Sequence, residues 1–319
     1  MRYRQLGDSG LTVSVVGLGC NNFRMRCSDD DARAVVDSAI DEGVTLFDTA
    51  DIYGGGGGSE ELLGEVLGDR REQVVLATKF GMQMPGDTGE ARGSRRYVRR
   101  ALEASLRRLR TDHVDLYQLH ESDPRTPIDE TLAALDELVR EGKVRYVGSS
   151  NFSGWQIADA DWTARVANRE RFVSAQNHYS LLERDVEAEV IPACERFGVG
   201  MLPYFPLANG ALTGKYRRGE RPPEGTRLGN NEQRARDVLT DETYDRVEAL
   251  EKLAAGRGVT LLHVAIGGLA AQPAVASVIA GATKPEQVRA NAAAGSWEPT
   301  ADDLAAIDAI VPSRAPRTS

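Results

Sequence analysis

Leu46-Phe47-Asp48-Thr49-Ala50-Asp51-Ile52-Tyr53 passes within a few residues from an apolar run to two acids and a phenol. The residues Val44 to Phe47 have the unbroken apolar character of a strand covered on both faces, which is what a parallel sheet requires. Asp48 stands where that strand should end, and Tyr53 follows in the connecting loop. Alone, this is equally the description of a surface loop. Two later strand ends change the reading. Val74-Val75-Leu76-Ala77-Thr78 is closed by Lys79, and Val114-Asp115-Leu116-Tyr117-Gln118-Leu119 is closed by His120. An acid, a phenol, an ammonium and an imidazole each end, or directly follow, a separate apolar run.

Working outward, the same unit repeats. Short apolar stretches at 3–6 and 11–13 flank Gly7-Asp8-Ser9-Gly10, a hairpin signal. A first buried strand covers 15–19. Helical spacing of apolar residues runs from 29 to 42, with Ser28 as N-cap and Gly43 as stop. Strands ending at 48, 79 and 120 alternate with helices over 59–67, 94–109 and 128–141. Further strands are expected at 144–148, 173–176 and 199–203, with helices at 153–168 and 186–197. A long irregular stretch follows, then helices at 240–255 and 261–271, a strand at 276–279, and helices at 285–294 and 301–310.

Eight strands alternating with helices predict a (β/α)8 barrel with an N-terminal hairpin and extra C-terminal helices, residues 1–319 forming one domain. The alternative is an open doubly wound sheet, which should carry Gly-x-Gly-x-x-Gly after its first strand. Gly17-Leu18-Gly19-Cys20-Asn21-Asn22 lacks the third glycine, and the run Gly54 to Gly58 follows the second strand with the wrong spacing. That run reads as a flexible turn. In a barrel the active site lies where the strands end. Those positions hold Gly19, Cys20, Asn21, Asp48, Lys79, His120, Ser149, Ser150, Asn151, Gln176, Asn177, Tyr204 and Gly281, nearly all polar.

The chain has 319 residues, 41% of them hydrophobic, enough for one large core. A net charge of -9 argues against nucleic acid or an acidic membrane surface as partner. Three cysteines, Cys20, Cys27 and Cys194, are too few and too scattered for a disulfide framework or a zinc site, and they point to a reducing compartment. No apolar signal segment opens the chain and no run approaches the roughly 18 residues of a membrane span. The expectation is a soluble cytoplasmic protein.

A tyrosine of pKa about 10 is a weak acid at neutral pH, and a neighbouring ammonium lowers that value. Lys79 is the expected ammonium, Asp48 its anchor, and His120 a group that orients a substrate oxygen. The set suits proton transfer to a carbonyl becoming an alkoxide. Nucleophilic hydrolysis has no Ser-His or Cys-His pairing to use. Metal chemistry lacks ligands: of the four histidines, His113 precedes its strand, His263 lies in an apolar helix, and only His120 and His178 remain.

At this point the chain resembles the aldo-keto reductases, over nearly its whole length from about Tyr3 to Asn291. The motifs are Gly43-Val44-Thr45-Leu46-Phe47-Asp48-Thr49-Ala50-Asp51-Ile52-Tyr53-Gly54, Ala77-Thr78-Lys79, Gln118-Leu119-His120, Gly148-Ser149-Ser150-Asn151-Phe152 and Leu212-Thr213-Gly214-Lys215-Tyr216. It is most similar to the bacterial branch that also resembles potassium-channel β subunits. The resemblance implies NADPH-dependent reduction of an aldehyde or ketone, with NADH less favoured. It implies Tyr53 as general acid, Lys79 and Asp48 as its supporting pair, and His120 as the orienting group. Ser150, Asn151 and Gln176 would hold the carboxamide and Tyr204 would stack on the nicotinamide. Leu207, Leu212 and Lys215 would lie over the pyrophosphate, and Thr283, Lys284, Gln287 and Asn291 at the adenosine-phosphate end. Gly19, Cys20, Asn21, Phe205 and Gly281 are placed with these cofactor contacts. Three positions depart from the family pattern. Phe205 stands where serine is common, Ala280 replaces a frequent proline, and Gln287 occupies a position that is arginine in some branches.

A substrate pocket is expected from loops 21–28 and 81–92, with Phe23, Met25, Met82 and Trp155 as its wall and Asn209 and His178 nearby. Most of the arginines at 92, 95, 96, 99, 100, 107, 108 and 110 read as a solvated helix face rather than a site for a phosphorylated substrate. A second reading, a nicotinamide-binding redox sensor or regulatory subunit of slow turnover, leaves the activated phenol without a use. Physiological carbonyl, reaction direction and oligomeric state are not legible.

Overall fold

The computed structural model describes residues 1–87 and 89–313. The chain opens on an antiparallel ribbon, β1 (Tyr3–Gln5) and β2 (Thr12–Ser14), pairing Tyr3 with Ser14. Strands and helices then alternate: β3 (Val16–Gly19), α1 (Asp29–Asp41), β4 (Leu46–Asp48), α2 (Tyr53–Leu67), β5 (Val75–Phe80), α3 (Arg95–Leu109), β6 (Val114–Leu119), α4 (Ile128–Arg140), β7 (Val144–Ser150), α5 (Gly154–Val166), β8 (Phe172–Gln176), α6 (Val190–Phe197) and β9 (Gly200–Met201). Three helices, α7 (Glu232–Val238), α8 (Asp241–Gly256) and α9 (Leu261–Ala270), precede β10 (Val278–Gly281), α10 (Pro285–Ala294) and α11 (Ala301–Ile310).

The parallel strands lie in the order β10-β3-β4-β5-β6-β7-β8-β9. The two ends of that order meet. Met201 N donates to Ala274 O at 2.7 Å, Ala276 N to Met201 O at 3.0 Å, and Ile279 N to Pro203 O at 3.0 Å. The sheet thus closes on itself as a (β/α)8 barrel. Registers align Gly19 with both Asp48 and Gly281, so three neighbouring strand ends stand level at one mouth.

Side-chain caps set where the helices begin. Ser28, Ser94 and Thr240 accept from the backbone N–H of Asp31, Tyr97 and Thr243. Ser153 with Gln156, and Thr300 with Asp303, form reciprocal capping boxes. One apolar core fills the space between sheet and helices, and a second, with Leu46, Ala77, Leu116, Leu202 and Ile279, fills the barrel interior. Leu6 and Val13 of the ribbon are fully buried in this inner core. Asp8 N donates to Gly198 O at 2.7 Å, and Arg4 donates to Val275 O at 2.9 Å, so the ribbon closes the end where the strands begin.

Four expectations need correction. Tyr53 opens α2 instead of lying in a loop, although Gly54 to Gly57 all have positive φ and break the helix. The helix expected over 186–197 is split: a short 3-10 turn covers Asp185–Glu187 and α6 begins at Val190. The strand expected at 199–203 pairs only over Gly200–Met201. The stretch taken as irregular contains α7, a helix with no buried residue and therefore no apolar period to reveal it. Among the described residues no single helix is long and apolar enough to cross a membrane.

Candidate active site

Asp48, Tyr53, Lys79 and His120, which come from three strand ends and the start of α2, converge. Strand alternation turns Asp48 and Lys79 to the same interior, where Lys79 Nζ donates to Asp48 Oδ2 at 2.6 Å and to Thr49 O at 2.8 Å. The same ammonium lies 3.5 Å from Tyr53 Oη and 4.9 Å from the centre of its ring. The His120 ring meets Tyr53 edge-on, with centroids 5.8 Å apart. Lys79 has no exposed surface, and an ammonium so placed must be paired. Burial alone would depress it, but Asp48 and Tyr53 outweigh burial and hold its pKa above the ordinary value.

Asp48 has further support that sequence reading missed. Its other oxygen, Oδ1, accepts from Gln176 Nε2 at 2.9 Å and Gln118 Nε2 at 3.2 Å. A carboxylate with an ammonium on one oxygen and two amides on the other is fixed in orientation. Gln118 stands two residues before His120, facing inward by alternation, and that spacing is the signal that could have found it.

Tyr53 departs from expectation in one respect. Burial raises its pKa above 10, and the opposing pull of Lys79 does not cancel that effect. The phenol is thus a protonated donor, with the ammonium in place to receive the charge when the proton leaves. His120 moves the other way: burial, then the charge of Lys79, push it down to about 3. It is a neutral imidazole, and its Nδ1 is buried without a protein partner among the described residues.

The positions assigned to a cofactor lie around this mouth. Asn151, in the left-handed region at φ 59°, donates to His120 O at 2.9 Å and to Ser150 Oγ at 3.1 Å, and accepts from Tyr204 Oη at 2.8 Å. Tyr204 stacks on His178, centroids 5.5 Å apart and nearly parallel. Phe205 packs edge-on to both rings. Gln176 is buried with its amide nitrogen engaged by Asp48. Cys20 is wholly buried, and its backbone carbonyl accepts from Ser59. Asn21 is half-buried and Gly281 exposed. Leu212 is buried in a 3-10 turn over Ala208–Thr213, beside half-buried Leu207, and Lys215 lies exposed over the Tyr216 ring. Lys284 is the exposed N-cap of α10, Gln287 Oε1 accepts from Thr283 N at 2.7 Å, and Asn291 is buried.

The substrate candidates divide. Phe23 is wholly buried in the core, Met82 half-buried, and Met25 and Trp155 are each 66% exposed. Most of the α3 arginines behave as the solvated face expected of them, Arg95 and Arg99 pairing with Glu137 and Arg100 with Glu90, but Arg108 does not: its side chain is mostly buried against the carboxylate of Glu60.

Sequence reading also missed a group of three arginines. Arg227 and Arg234 lie 5.0 and 5.6 Å from the Phe205 ring, and Arg227 donates to Asn22 Oδ1 at 3.2 Å. Burial, with Arg26 and Arg234 adding repulsion, pushes Arg227 down to about 10. Among the described residues, no carboxylate forms an ion pair with Arg26, Arg227 or Arg234. Arg26 lies about 200 residues before Arg227 and Arg234, and no local spacing announces their meeting.

A closed (β/α)8 barrel with a Tyr-Lys-Asp-His cluster at its strand ends defines a class of carbonyl-reducing enzymes. The Aldo/keto reductase family model matches residues 15–312, and the chain belongs to that family. It is 40% identical to the uncharacterized oxidoreductase YrpG of Bacillus subtilis, across 91% of this chain and 89% of that protein. It is 37% identical to a probable voltage-gated potassium channel subunit beta of Oryza sativa subsp. japonica, across 100% and 99%. The aldo-keto reductase YhdN of B. subtilis is 34% identical, across 98% and 94%.

Proposed function

We propose that the protein reduces an aldehyde or ketone to an alcohol with NADPH, Tyr53 delivering the proton. The observation that carries this reading is the buried contact of Lys79 with both Asp48 and the Tyr53 phenol. The chain fits a dinucleotide. Tyr204 offers a ring at the mouth, and Arg26, Arg227 and Arg234, which form no ion pair among the described residues, offer positive charge of the kind a diphosphate neutralises. When bound, the reduced nicotinamide supplies hydride.

Everything else falls to side chains. Neutral His120 would orient the carbonyl oxygen beside Tyr53 Oη. Tyr53 would give its proton as negative charge grows on that oxygen. Lys79, held by Asp48, would stabilise the phenolate left behind, in a site where low dielectric strengthens the interaction. Asp48 would keep the ammonium directed at the phenol, with Gln118 and Gln176 fixing its free oxygen.

Replacement of Tyr53 by Phe keeps the ring and removes the proton. Turnover on an unactivated aldehyde should fall at least about 100-fold, the lower range for general acid catalysis, with NADPH affinity nearly unchanged. Near wild-type turnover in this variant would overturn the assignment. The likeness to named channel β subunits favours a second reading, a regulatory subunit that holds a nicotinamide and turns over slowly. Continuous NADPH oxidation over a panel of aldehydes supports the enzyme; one burst per site supports the regulator.

A further inference from the structure

Behind the cluster, outside the barrel wall, lies a second buried polar arrangement that the proposed chemistry does not use. Ser59 and Glu60 have no exposed surface. Ser59 Oγ donates to Cys20 O at 2.9 Å and lies 2.9 Å from Thr49 Oγ1. Glu60 Oε1 accepts from Thr78 Oγ1 at 2.5 Å, and Oε2 accepts from Arg108 Nε at 2.7 Å. Thr49 directly follows Asp48, and Thr78 directly precedes Lys79. By strand alternation the hydroxyl of Thr78 points outward where its neighbour points in. Two adjacent residues of α2 thus grip the backs of the two strands that carry the buried ion pair.

The glycine run makes this possible. It reads in sequence as a flexible turn, yet the structure uses it for close approach. A Cβ on Gly57, at φ 116°, would lie 2.4 Å from Arg108 Cδ and 2.6 Å from its Nε. One on Gly54, at φ 70°, would lie 2.5 Å from Ser59 N. Without side chains there, the chain turns directly from Tyr53 into Ser59 and Glu60, and Arg108 of α3 reaches the Glu60 carboxylate. The arginine is most of the way buried, and so the pair is held without bulk solvent to loosen it.

We propose that Ser59 and Glu60 are positioning residues that set the Asp48–Lys79–Tyr53 geometry through Thr49 and Thr78, with Arg108 fixing the Glu60 carboxylate. This rests on the roles given above to Lys79 and Tyr53. It gives a single helix turn control of three reacting or supporting groups: Tyr53 through the glycine run, Asp48 through Ser59, and Lys79 through Glu60. Displacements of about 1 Å from remote changes can cost on the order of 100-fold in rate, so loosening either grip should be visible in turnover.

The test is Thr78→Val, which keeps the branched shape and removes only the hydroxyl, with Thr78→Ser as the rescue that restores it. For Thr78→Val, kcat per folded molecule should fall about 10- to 100-fold while the Kd for NADPH, read by its fluorescence, stays within about twofold. Thr78→Ser should recover most of the loss. A crystal structure of Thr78→Val should show Lys79 Nζ moved away from Tyr53 Oη. A purely structural hydroxyl would lower the melting temperature and leave kcat of the folded protein alone. Unmoved Lys79 with wild-type kcat, or a kcat loss matched by lost NADPH affinity, overturns the proposal. Movement of Lys79 with kcat unchanged would uphold the positioning and refute the catalytic role of Lys79. If Thr78→Val does not fold, Ser59→Ala puts the same question from the Asp48 side, with the same readouts.

Discussion

At the scale of the residue, two neighbouring rings are tuned in opposite directions. Burial and Lys79 hold His120 neutral down to about pH 3, and burial holds the Tyr53 proton on above the usual phenol value. Reduction needs both states, a protonated phenol and an uncharged imidazole. kcat/KM for reduction should therefore be flat from about pH 5 to 9, with no inflection near the ordinary histidine value of about 6.5. A limb near 6.5 that vanishes in His120→Asn would refute this. The four central residues were legible because each ends or follows an apolar run, and a barrel brings such ends together. The direction of the Tyr53 shift was not. It depends on how completely the phenol is buried, and sequence shows the neighbouring charge but not the missing water. Glu60 was illegible for a related reason. Glu60-Glu61 reads as a solvated pair, and nothing local announces that Arg108 comes to meet the first of them.

At the scale of the element, caps and termini decide what a helix offers. α10 begins with Pro285, and its N-cap Lys284 is exposed with extended backbone, so an ammonium stands at the positive end of the helix dipole. That combination suits the 2'-phosphate that distinguishes NADPH from NADH. Gln287, which occupies a position that is arginine in some branches, is spent locally on Thr283, leaving Lys284 as the charged donor there. Charge-assisted hydrogen bonds contribute about 1.5–3 kcal/mol, so Lys284→Ala should weaken NADPH roughly 10- to 150-fold and leave NADH nearly unaffected. Equal losses for both cofactors would remove Lys284 from the phosphate site. The ends of α10 and α11 were readable to the residue because Pro285 and Thr300 mark them. α7 was not, since its seven residues bury nothing and charge alone has no period.

At the scale of the molecule, stability carries the imprint of the buried polar layer. Asp51 is held protonated up to about pH 8, by burial first and then by Glu60, and its Oδ1 has no protein partner among the described residues. An unfolded aspartate ionises near 3.9. Between about pH 4 and 8 the unfolded chain gives up this proton and the folded one keeps it, so Asp51 makes the fold less stable as pH rises through that window. Asp51→Asn should melt like the wild type near pH 4 and higher than it by about 5 °C near pH 8.5, a gap that scanning calorimetry can follow. A constant gap across that range would mean that Asp51 does not titrate as described. The barrel itself was legible because each strand covered on both faces leaves a short apolar run between helical patterns, whereas its closure over Met201 and Pro203 rests on backbone bonds that no side chain reports. The ribbon of β1 and β2 has a consequence for traffic. With the interior filled by packed side chains and Leu6 and Val13 sealing the end where the strands begin, the barrel offers no passage from that end, and whatever reaches Tyr53 arrives across the opposite mouth.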